Sequence, residues 1–250
     1  MLPAVEVNSA RNSRGLTHSA VVRTLSQDRA PLAMTRVLSR SLPAGVSHEL
    51  EEVKRTQHYP NRSVLFRQGE YIQGVFIVRS GAVKLSITSS KGRAVILRVA
   101  GVGEILGLSS VLSGEACIAT AETLEETEIA QVERELFLQI LLSDPEAALS
   151  IALQACANYR AACRQISLLG LCRSATERVA QFLLNWSPKN YRDPQPVRLG
   201  LTHEEISQVA GTTRETVTRT LMDFRKKGWA SLAASHLVMQ DREALEKLVT

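Results

Sequence analysis

The chain has 250 residues, of which 44% are hydrophobic and 22% are charged, and its formal net charge is +5. This length allows one large or two modest domains with real apolar cores. The positive charge favours a polyanionic partner, although only weakly. No run approaches about 18 consecutive apolar residues, so we expect no membrane span.

The cysteine spacing excludes the common metal motifs. The four cysteines form no C-x-x-C pair and fit no zinc or iron–sulfur spacing. They are Cys117, Cys156, Cys163 and Cys172. We therefore predict no metal site, and free, buried thiols in a reducing cytoplasm. The chain also lacks a phosphate-cradling loop and a recognisable nucleophile–base pair, so we predict that it is not an enzyme.

The first 33 residues contain several arginines, with serine and asparagine, and show no apolar period. We interpret residues 1–33 as a disordered extension without an assigned function. An organellar transit peptide has a similar composition and is the alternative. Residues 35–58 then show a short helical pattern of apolar residues.

From Tyr59 the pattern changes to short β-branched runs separated by glycines, at residues 63–67, 74–78, 82–87 and 94–99. Such a series predicts an all-β barrel, roll or sandwich, which we place at residues 34–143. Ser80-Gly81 predicts a tight hairpin turn, because glycine adopts a positive φ without steric cost.

A long helix is predicted to start at Pro145, after the N-cap Asp144, and to run to Gly170 or Leu171. Apolar and small residues recur along it at alternating spacings of three and four. They are Leu149, Ala152, Cys156, Tyr159, Cys163, Ile166 and Gly170. This seam is typical of paired helices, and we assign residues 144–172 as a dimerisation helix. A core helix of a single domain would have the same low charge.

The last region, residues 173–250, is predicted to be helical with a short sheet. Its three capping boxes are Ser174–Glu177, Thr202–Glu205 and Thr212–Glu215. The stretch 187–196 is a predicted loop. Residues 229–232 and 237–239 predict two wing strands, and residues 244–248 predict a closing helical turn.

Residues 202–227 have the layout of a helix-turn-helix, in which a short helix ends at Gly211 and a second helix starts almost at once. In the second helix Val217, Leu221 and Phe224 form the predicted buried stripe. The side opposite that stripe would face the DNA, and the N-terminal end of such a helix meets base edges.

The chemistry of the opposite side suits base reading. Glu215 and Arg219 lie on that side, and Arg214 and Thr218 flank it near the N-terminal end of the helix. These four residues are the candidates for base reading. Arginine donates two parallel hydrogen bonds to guanine, and glutamate accepts one from cytosine. Candidate phosphate contacts are Thr202, His203, Thr213, Thr216 and Lys226. A solvated helix face with a Glu215–Arg219 ion pair is the alternative interpretation.

Two segments, 68–85 and 213–219, resemble the catabolite-activator/fumarate–nitrate regulator (Crp/Fnr) family, and the resemblance covers roughly residues 35–250. It implies an α+β chain with a cyclic-nucleotide-binding-type β-roll (jelly roll), a long dimerisation helix and a C-terminal winged helix-turn-helix. It also implies a homodimeric regulator of transcription on double-stranded DNA, with RNA polymerase as a further partner. Arg214, Glu215 and Arg219 match the triplet that catabolite-activator-like members use on a TGTGA-type half-site.

The chain departs from the family in the segment that binds cyclic nucleotide. The degenerate effector pocket is Gly107, Leu108, Glu115, Ala116, Cys163 and Arg164. Leu108 stands where the resemblance places the ribose-binding acid. Glu115 and Ala116 stand near the expected Arg-Ser, and a glutamate would repel a phosphate. We therefore predict no useful affinity for cyclic AMP, and the effector stays open.

Other family cofactors are also not expected. Oxygen-sensing members carry an N-terminal cysteine cluster, whereas no cysteine precedes Cys117 here. No histidine lies in residues 107–116, the segment that matches the family's cyclic-nucleotide cassette. We expect neither an iron–sulfur cluster nor a haem. Two other functions remain open, namely an architectural DNA binder without an effector and a sensor module whose output is a protein contact.

Overall fold

The computed structural model describes residues 55–187, 196–233 and 235–249. The predicted extension, the helical pattern before residue 55 and most of the predicted loop at 187–196 lie outside these residues. The strands are β1 Arg55–Tyr59, β2 Val64–Phe66, β3 Gly74–Ser80, β4 Val83–Thr88, β5 Ala94–Ala100, β6 Ile105–Leu106, β7 Thr120–Thr123, β8 Thr127–Glu133, β9 Val197–Arg198, β10 Ala230–Ala233 and β11 His236–Met239. The helices are α1 Leu108–Ser113, α2 Arg134–Ser143, α3 Pro145–Leu171, α4 Ala175–Trp186, α5 His203–Ala210, α6 Arg214–Lys226 and α7 Arg242–Leu248.

The first eight strands form two antiparallel four-stranded sheets, in the orders β1-β8-β3-β6 and β2-β7-β4-β5. Their inner faces share one apolar core, to which both sheets contribute. Phe66 and Phe76 lie at its centre with their ring centroids 5.4 Å apart. This is the two-sheet roll that the spaced β-branched runs predict.

Strand β3 is buried on both of its faces, which explains its unbroken apolar sequence. Phe76 and Val78 point into the roll, whereas Val75 and Ile77 point the other way. The outer face is covered by α1, α2 and the start of α3, through Phe137 and Ile151 among others. The roll and the long helix α3 therefore share a second apolar core on the outer face of β3.

Two local predictions for the roll are wrong. Residues 55–59 form strand β1, paired with β8, and not the end of a helical pattern, because tertiary pairing overrides a short periodic signal. Ser80-Gly81 is not a hairpin, since β3 and β4 belong to different sheets. Gly81 does have a positive φ of 81°, and a Cβ there would lie 2.4 Å from the Thr127 hydroxyl oxygen. The tight hairpin is the next connection, between β4 and β5.

The long helix α3 has the predicted bounds. Its N-cap Asp144 accepts hydrogen bonds from the backbone N–H groups of Glu146 and Ala147. Within the described segments no single helix has the length and apolarity of a membrane span. Helices α2 and α3 meet those limits only when taken together, and the chain bends by 114° between them.

The C-terminal region has its own core of residues from α4, α5, α6, α7 and the small sheet β10-β11-β9. Its largest fully buried side chains include Leu183, Ile206 and Phe224. The predicted wing strands and the closing helix are confirmed as β10, β11 and α7. The core also takes in Ile96 from the roll and Leu168 from α3, so this region packs directly against the roll.

The prediction that all four thiols are buried is wrong. Cys117 is buried inside the roll, and burial raises its pKa. Cys172 is half-buried, but Cys156 and Cys163 are exposed on α3. The reason is that both lie on the seam of the long helix, which this chain alone does not cover.

Candidate DNA interface

The helix-turn-helix is built by α5, a turn at Gly211, and α6. Thr202 and Glu205 form a full capping box at the start of α5. Gly211 ends this helix with a φ of 58°, and a Cβ at this position would lie 2.7 Å from the Leu169 side chain on α3. Glycine is therefore required both by the left-handed backbone and by the close approach of α3.

Burial fixes which side of α6 faces outward. Val217, Leu221 and Phe224 are buried as predicted, and the Phe224 and Trp229 rings lie 5.7 Å apart. Burying a side chain of this size stabilises the fold by roughly 2–3 kcal/mol. The helix therefore cannot rotate without losing its core, and its opposite side is held in solvent.

The outward side, which we call the reading face, forms an open concavity. It is lined by Arg214, Glu215, Thr218, Arg219, Met222, Asp223 and Lys226. Among the described residues the side chains of Arg214, Arg219 and Lys226 have no hydrogen-bond or ion-pair partner. Arg219 and Lys226 are thus left without an internal counter-ion, whereas the charge of Arg214 lies near the Glu215 carboxylate and helps to lower the pKa of Glu215. All four candidate base-reading residues lie on this face.

The ion pair that would make this face an ordinary solvated surface is not formed between Glu215 and Arg219 in the described chain. The carboxylate of Glu215 is held instead at the helix start. Its own backbone N–H and the Thr213 hydroxyl stabilise the charged form and lower the pKa of Glu215. The group is therefore present as an anion and as a hydrogen-bond acceptor.

Thr218 offers its methyl group and not its hydroxyl. The hydroxyl donates to the Arg214 carbonyl oxygen over 3.0 Å and lies 2.8 Å from Nδ1 of His203. This contact ties α5 to α6 across the turn.

The candidate phosphate contacts do not share one environment. The Thr202 hydroxyl is used within its capping box, where it donates to Glu205. Thr213 caps α6, and its hydroxyl oxygen lies 3.1 Å from that of Thr216. Lys226 lies free on the reading face, and His203 keeps Nε2 for an external partner.

The third capping box is wrong by one residue. Thr213, not Thr212, is the N-cap of α6 and accepts from the backbone N–H of Thr216. The left-handed Gly211 places Thr212 inside the turn, where its N–H donates to the Ser207 carbonyl. At the first box, Ser174 accepts from Glu177 N–H, but Glu177 accepts in return from Arg173 N–H.

A contact between the roll and the helix-turn-helix was not predicted from the sequence. Lys84 on β4 lies 3.1 Å from Glu205 on α5 and 3.0 Å from Glu122 on β7. Nearby, the Arg93 guanidinium donates to the Gly211 carbonyl over 3.1 Å. Burial raises the pKa of Glu205, but hydrogen bonds from Thr202 and Lys84 outweigh it, and the pKa lies below the ordinary value.

The six residues of the predicted effector pocket are not brought together. Leu108 is buried in the core between β3 and the helices, and Glu115 is exposed after α1. Gly107 has a φ of 81°, and a Cβ there would lie 2.5 Å from the Ile72 side chain. Arg164 lines a separate cavity that contains neither Gly107, Leu108, Glu115 nor Ala116. Cys163 and Arg164 do line one surface groove together.

The seam of α3 lies open on this chain. All seven of its residues are exposed, including Tyr159 at 72% and Ile166 at 71%. The interpretation of α3 as a core helix of a single domain is therefore wrong for this side of the helix.

Comparison with known proteins agrees with this architecture. The family model of the cyclic nucleotide-binding domain matches residues 56–144, and that of the Crp-like helix-turn-helix domain matches residues 177–248. The cyclic AMP receptor protein of Thermus thermophilus is 30% identical over 190 residues, which are 76% of this chain and 86% of the relative. The nitrogen fixation regulation protein FixK of Azorhizobium caulinodans is 30% identical over 195 residues, which are 76% of this chain and 77% of the relative.

A solved structure, that of FixK2 from Bradyrhizobium japonicum, has a TM-score of 0.70 at 26% identity and covers 79% of this chain and 98% of its own. The roll, the long helix and the reading face together define a transcription regulator with a helix-turn-helix DNA-binding domain. The chain belongs to the Crp/Fnr family. The predicted family and fold class are confirmed.

Proposed function

We propose that this regulator binds an inverted repeat with TGTGA-like half-sites as a homodimer, and that its effector is not cyclic AMP. The observation that carries the proposal is the reading face, where the side chains of three cations form no hydrogen bond or ion pair within the described residues. Arg214 and Arg219 suit guanines, Glu215 suits a cytosine, and the Thr218 methyl suits a thymine methyl. Lys226, His203 and the threonines at the helix starts are assigned to backbone phosphates.

The dimer follows from the open seam of α3. Its exposed apolar residues alternate at spacings of three and four, which is the pattern of two helices that pack knobs into holes. A two-fold dimer presents two copies of α6 in opposite directions. The half-sites must then be inverted, with centres about one helical turn apart.

Discrimination between half-sites tests this function directly. We expect full-length protein to bind a duplex with inverted TGTGA half-sites at least about tenfold more tightly than the same duplex with TTGAT half-sites, since each wrong base pair costs roughly 1–3 kcal/mol. Fluorescence anisotropy at constant salt measures both, with a scrambled duplex as control. Equal affinity for all three duplexes would identify an architectural binder and refute the proposal.

The proposal about the effector rests on residues 107–116 and not on overall sequence identity. Relatives named for cyclic AMP and for nitrogen fixation are equally similar to this chain, at 30% identity each. Leu108 is buried in the core, and Glu115 adds a negative charge beside α1. We expect calorimetric titration with cyclic AMP to give no binding in the micromolar range. Low-micromolar binding would contradict this prediction.

We also propose that the DNA-bound dimer contacts RNA polymerase, as expected for a transcription regulator. Footprinting of polymerase on a target promoter, with and without the regulator, tests this contact. A polymerase footprint unchanged by the regulator would contradict it.

A further inference from the structure

A cavity of about 150 Å³ lies where the roll, the long helix and the DNA-binding region meet. Strand β5 contributes Ile96, α3 contributes Leu168, α4 contributes Phe182 and α5 contributes Val209. These side chains give the cavity an apolar wall. Its volume is that of a cavity known to hold a benzene molecule, which is also about 150 Å³.

The lining is also cationic. Arg160 and Arg164 lie one turn apart on α3 and both line the cavity. Arg98 lines it as well, but is paired with Glu104. Within the described part of the chain neither Arg160 nor Arg164 has an ion-pair or hydrogen-bond partner. The lining therefore holds two positive charges in excess.

One of these charges, that of Arg164, is partly removed from water, whereas Arg160 is exposed. Burial lowers the pKa of Arg164, and the neighbouring Arg160 lowers it further. An arginine cannot give up its proton to relieve this cost. A desolvated cation without a counter-ion is unfavourable, and an anion placed between the two guanidinium groups would offset the penalty.

A second copy of α3 would not supply that counter-ion. With the seam residues at the a and d positions, Arg160 takes an e position and would face the residue at position 155 of a parallel partner, which is alanine. The acid on α3 is Glu146, which lies roughly 21 Å along the helix from Arg160. Pairing of α3 with a second copy of itself would therefore leave the positive charge in place.

We propose that this cavity binds a small organic oxyanion, a carboxylate or a phosphate ester on an apolar body of about the size of a benzene ring. The two arginines hold the oxyanion, and Phe182 and Leu168 cover the apolar body. The site is separate from the cyclic-nucleotide cassette, since none of Gly107, Leu108, Glu115 and Ala116 lines it. An occupant contacts the roll, α3 and the helix-turn-helix at once.

The test measures binding to the full-length protein without DNA, so its result is independent of the DNA-reading proposal. Isothermal titration calorimetry with benzoate, phenyl phosphate and the neutral benzamide compares the two oxyanions with an uncharged isostere. Arg164→Met keeps most of the side-chain volume and removes the charge. Arg67→Met removes an exposed charge elsewhere in the roll and serves as the matched control.

We expect benzoate, phenyl phosphate or both to bind at least tenfold more tightly than benzamide. We also expect Arg164→Met to weaken that binding at least tenfold and Arg67→Met to leave it unchanged. Tighter binding of one oxyanion assigns the carboxylate or the phosphate as the preferred group. Equal binding of benzoate, phenyl phosphate and benzamide, binding of none, or full binding by Arg164→Met would overturn the proposal.

Discussion

Helices α3 and α6 each leave one side uncovered, but the two sides have opposite chemistry. The open seam of α3 carries leucine, tyrosine and isoleucine, with Ile166 71% exposed. The reading face of α6 carries Arg214, Arg219 and Lys226, whose side chains form no hydrogen bond or ion pair in the described part of the chain. Both helices have a buried side as well, so neither is simply a surface helix.

The difference identifies two kinds of partner. Exposed apolar area costs roughly 25 cal/mol per Å² until another apolar surface covers it, which a second copy of the same helix can do. Exposed cations are well hydrated and gain most from a polyanion, whose condensed counter-ions they release. The apolar seam therefore indicates self-association, and the cationic face indicates a nucleic acid.

The largest effect is expected at the seam. Ile166→Asp places an unpaired charge in each half of the dimer interface, which costs about 3–5 kcal/mol. Sedimentation velocity at micromolar concentration should then show monomers. Leu142→Asp on α2 changes an 89% exposed leucine outside the seam and should leave the dimer intact. An unchanged dimer in Ile166→Asp would show that α3 does not form the interface.

The next effect is expected at the reading face. Arg214→Ala should weaken binding to the TGTGA duplex by about 1–3 kcal/mol and relax selection at one G·C pair, because a bidentate contact to guanine is lost. Arg225→Ala removes an equal charge from α6 at a position that does not line the reading face. Anisotropy titrations on matched and single-mismatch duplexes measure both variants. Unaltered base preference in Arg214→Ala would contradict the readout.

Glu205 differs from the residues of the two open helix sides, because its charge is paired inside the chain and therefore contributes to the stability of the fold. Glu205 has a side chain that is only 12% exposed, and its pKa lies below the ordinary value of 4.5. Its contribution to stability is therefore present above about pH 4.5 and is lost as the pH falls through the folded-state pKa. Glu205→Gln should cost about 1 kcal/mol at neutral pH and progressively less in acid.

Urea unfolding at neutral pH and at about pH 3.5 measures this difference. Glu126→Gln, at an exposed position before β8, is the control and should change little at either pH. A Glu205→Gln penalty that stays constant or grows in acid would rule out a role for the charged carboxylate.

The smallest effect is expected when two neighbouring lysines are replaced in turn and DNA binding is compared. Lys226 is free on the reading face, whereas Lys227 lies 2.8 Å from the Asp223 carboxylate and 4.6 Å from the centre of the Trp229 ring. Lys226→Met should weaken binding to all duplexes alike. It should also reduce by about one the slope of the logarithm of the binding constant against the logarithm of the salt concentration. Lys227→Met should change the slope less. An identical salt dependence of DNA binding in both variants would show that Lys226 does not contact a phosphate.

The sequence predicts these helices well because a helix has one period. Once Val217, Leu221 and Phe224 are assigned to the core, Glu215 and Arg219 fall on the opposite side. Arg214 and Thr218 flank that side. The cap was harder to assign, because Thr212 and Thr213 are adjacent and only the left-handed Gly211 decides between them. The strands from Gly74 to Ala100 were also marked by their apolar runs.

Other features have no local signal. Strands β7 and β8 are rich in threonine and glutamate, and their place is set by pairing with β3 and β4. Lys84 and Glu205 are 121 residues apart, so only the packing of the roll on α5 reveals their contact. The cavity beside Arg160 and Arg164 likewise arises where three distant segments meet.

Selection of bound sequences from a library of random duplexes tests the central claim most directly, because it examines dimer symmetry and base reading together. Full-length protein should enrich inverted repeats in which each half-site contains a GTGA core, with centres about one helical turn apart. Enrichment of single or direct half-sites would contradict the dimer. Enriched sites without a GTGA core, or no enrichment at all, would contradict the assignment of Arg214, Glu215 and Arg219 as the residues that read the bases.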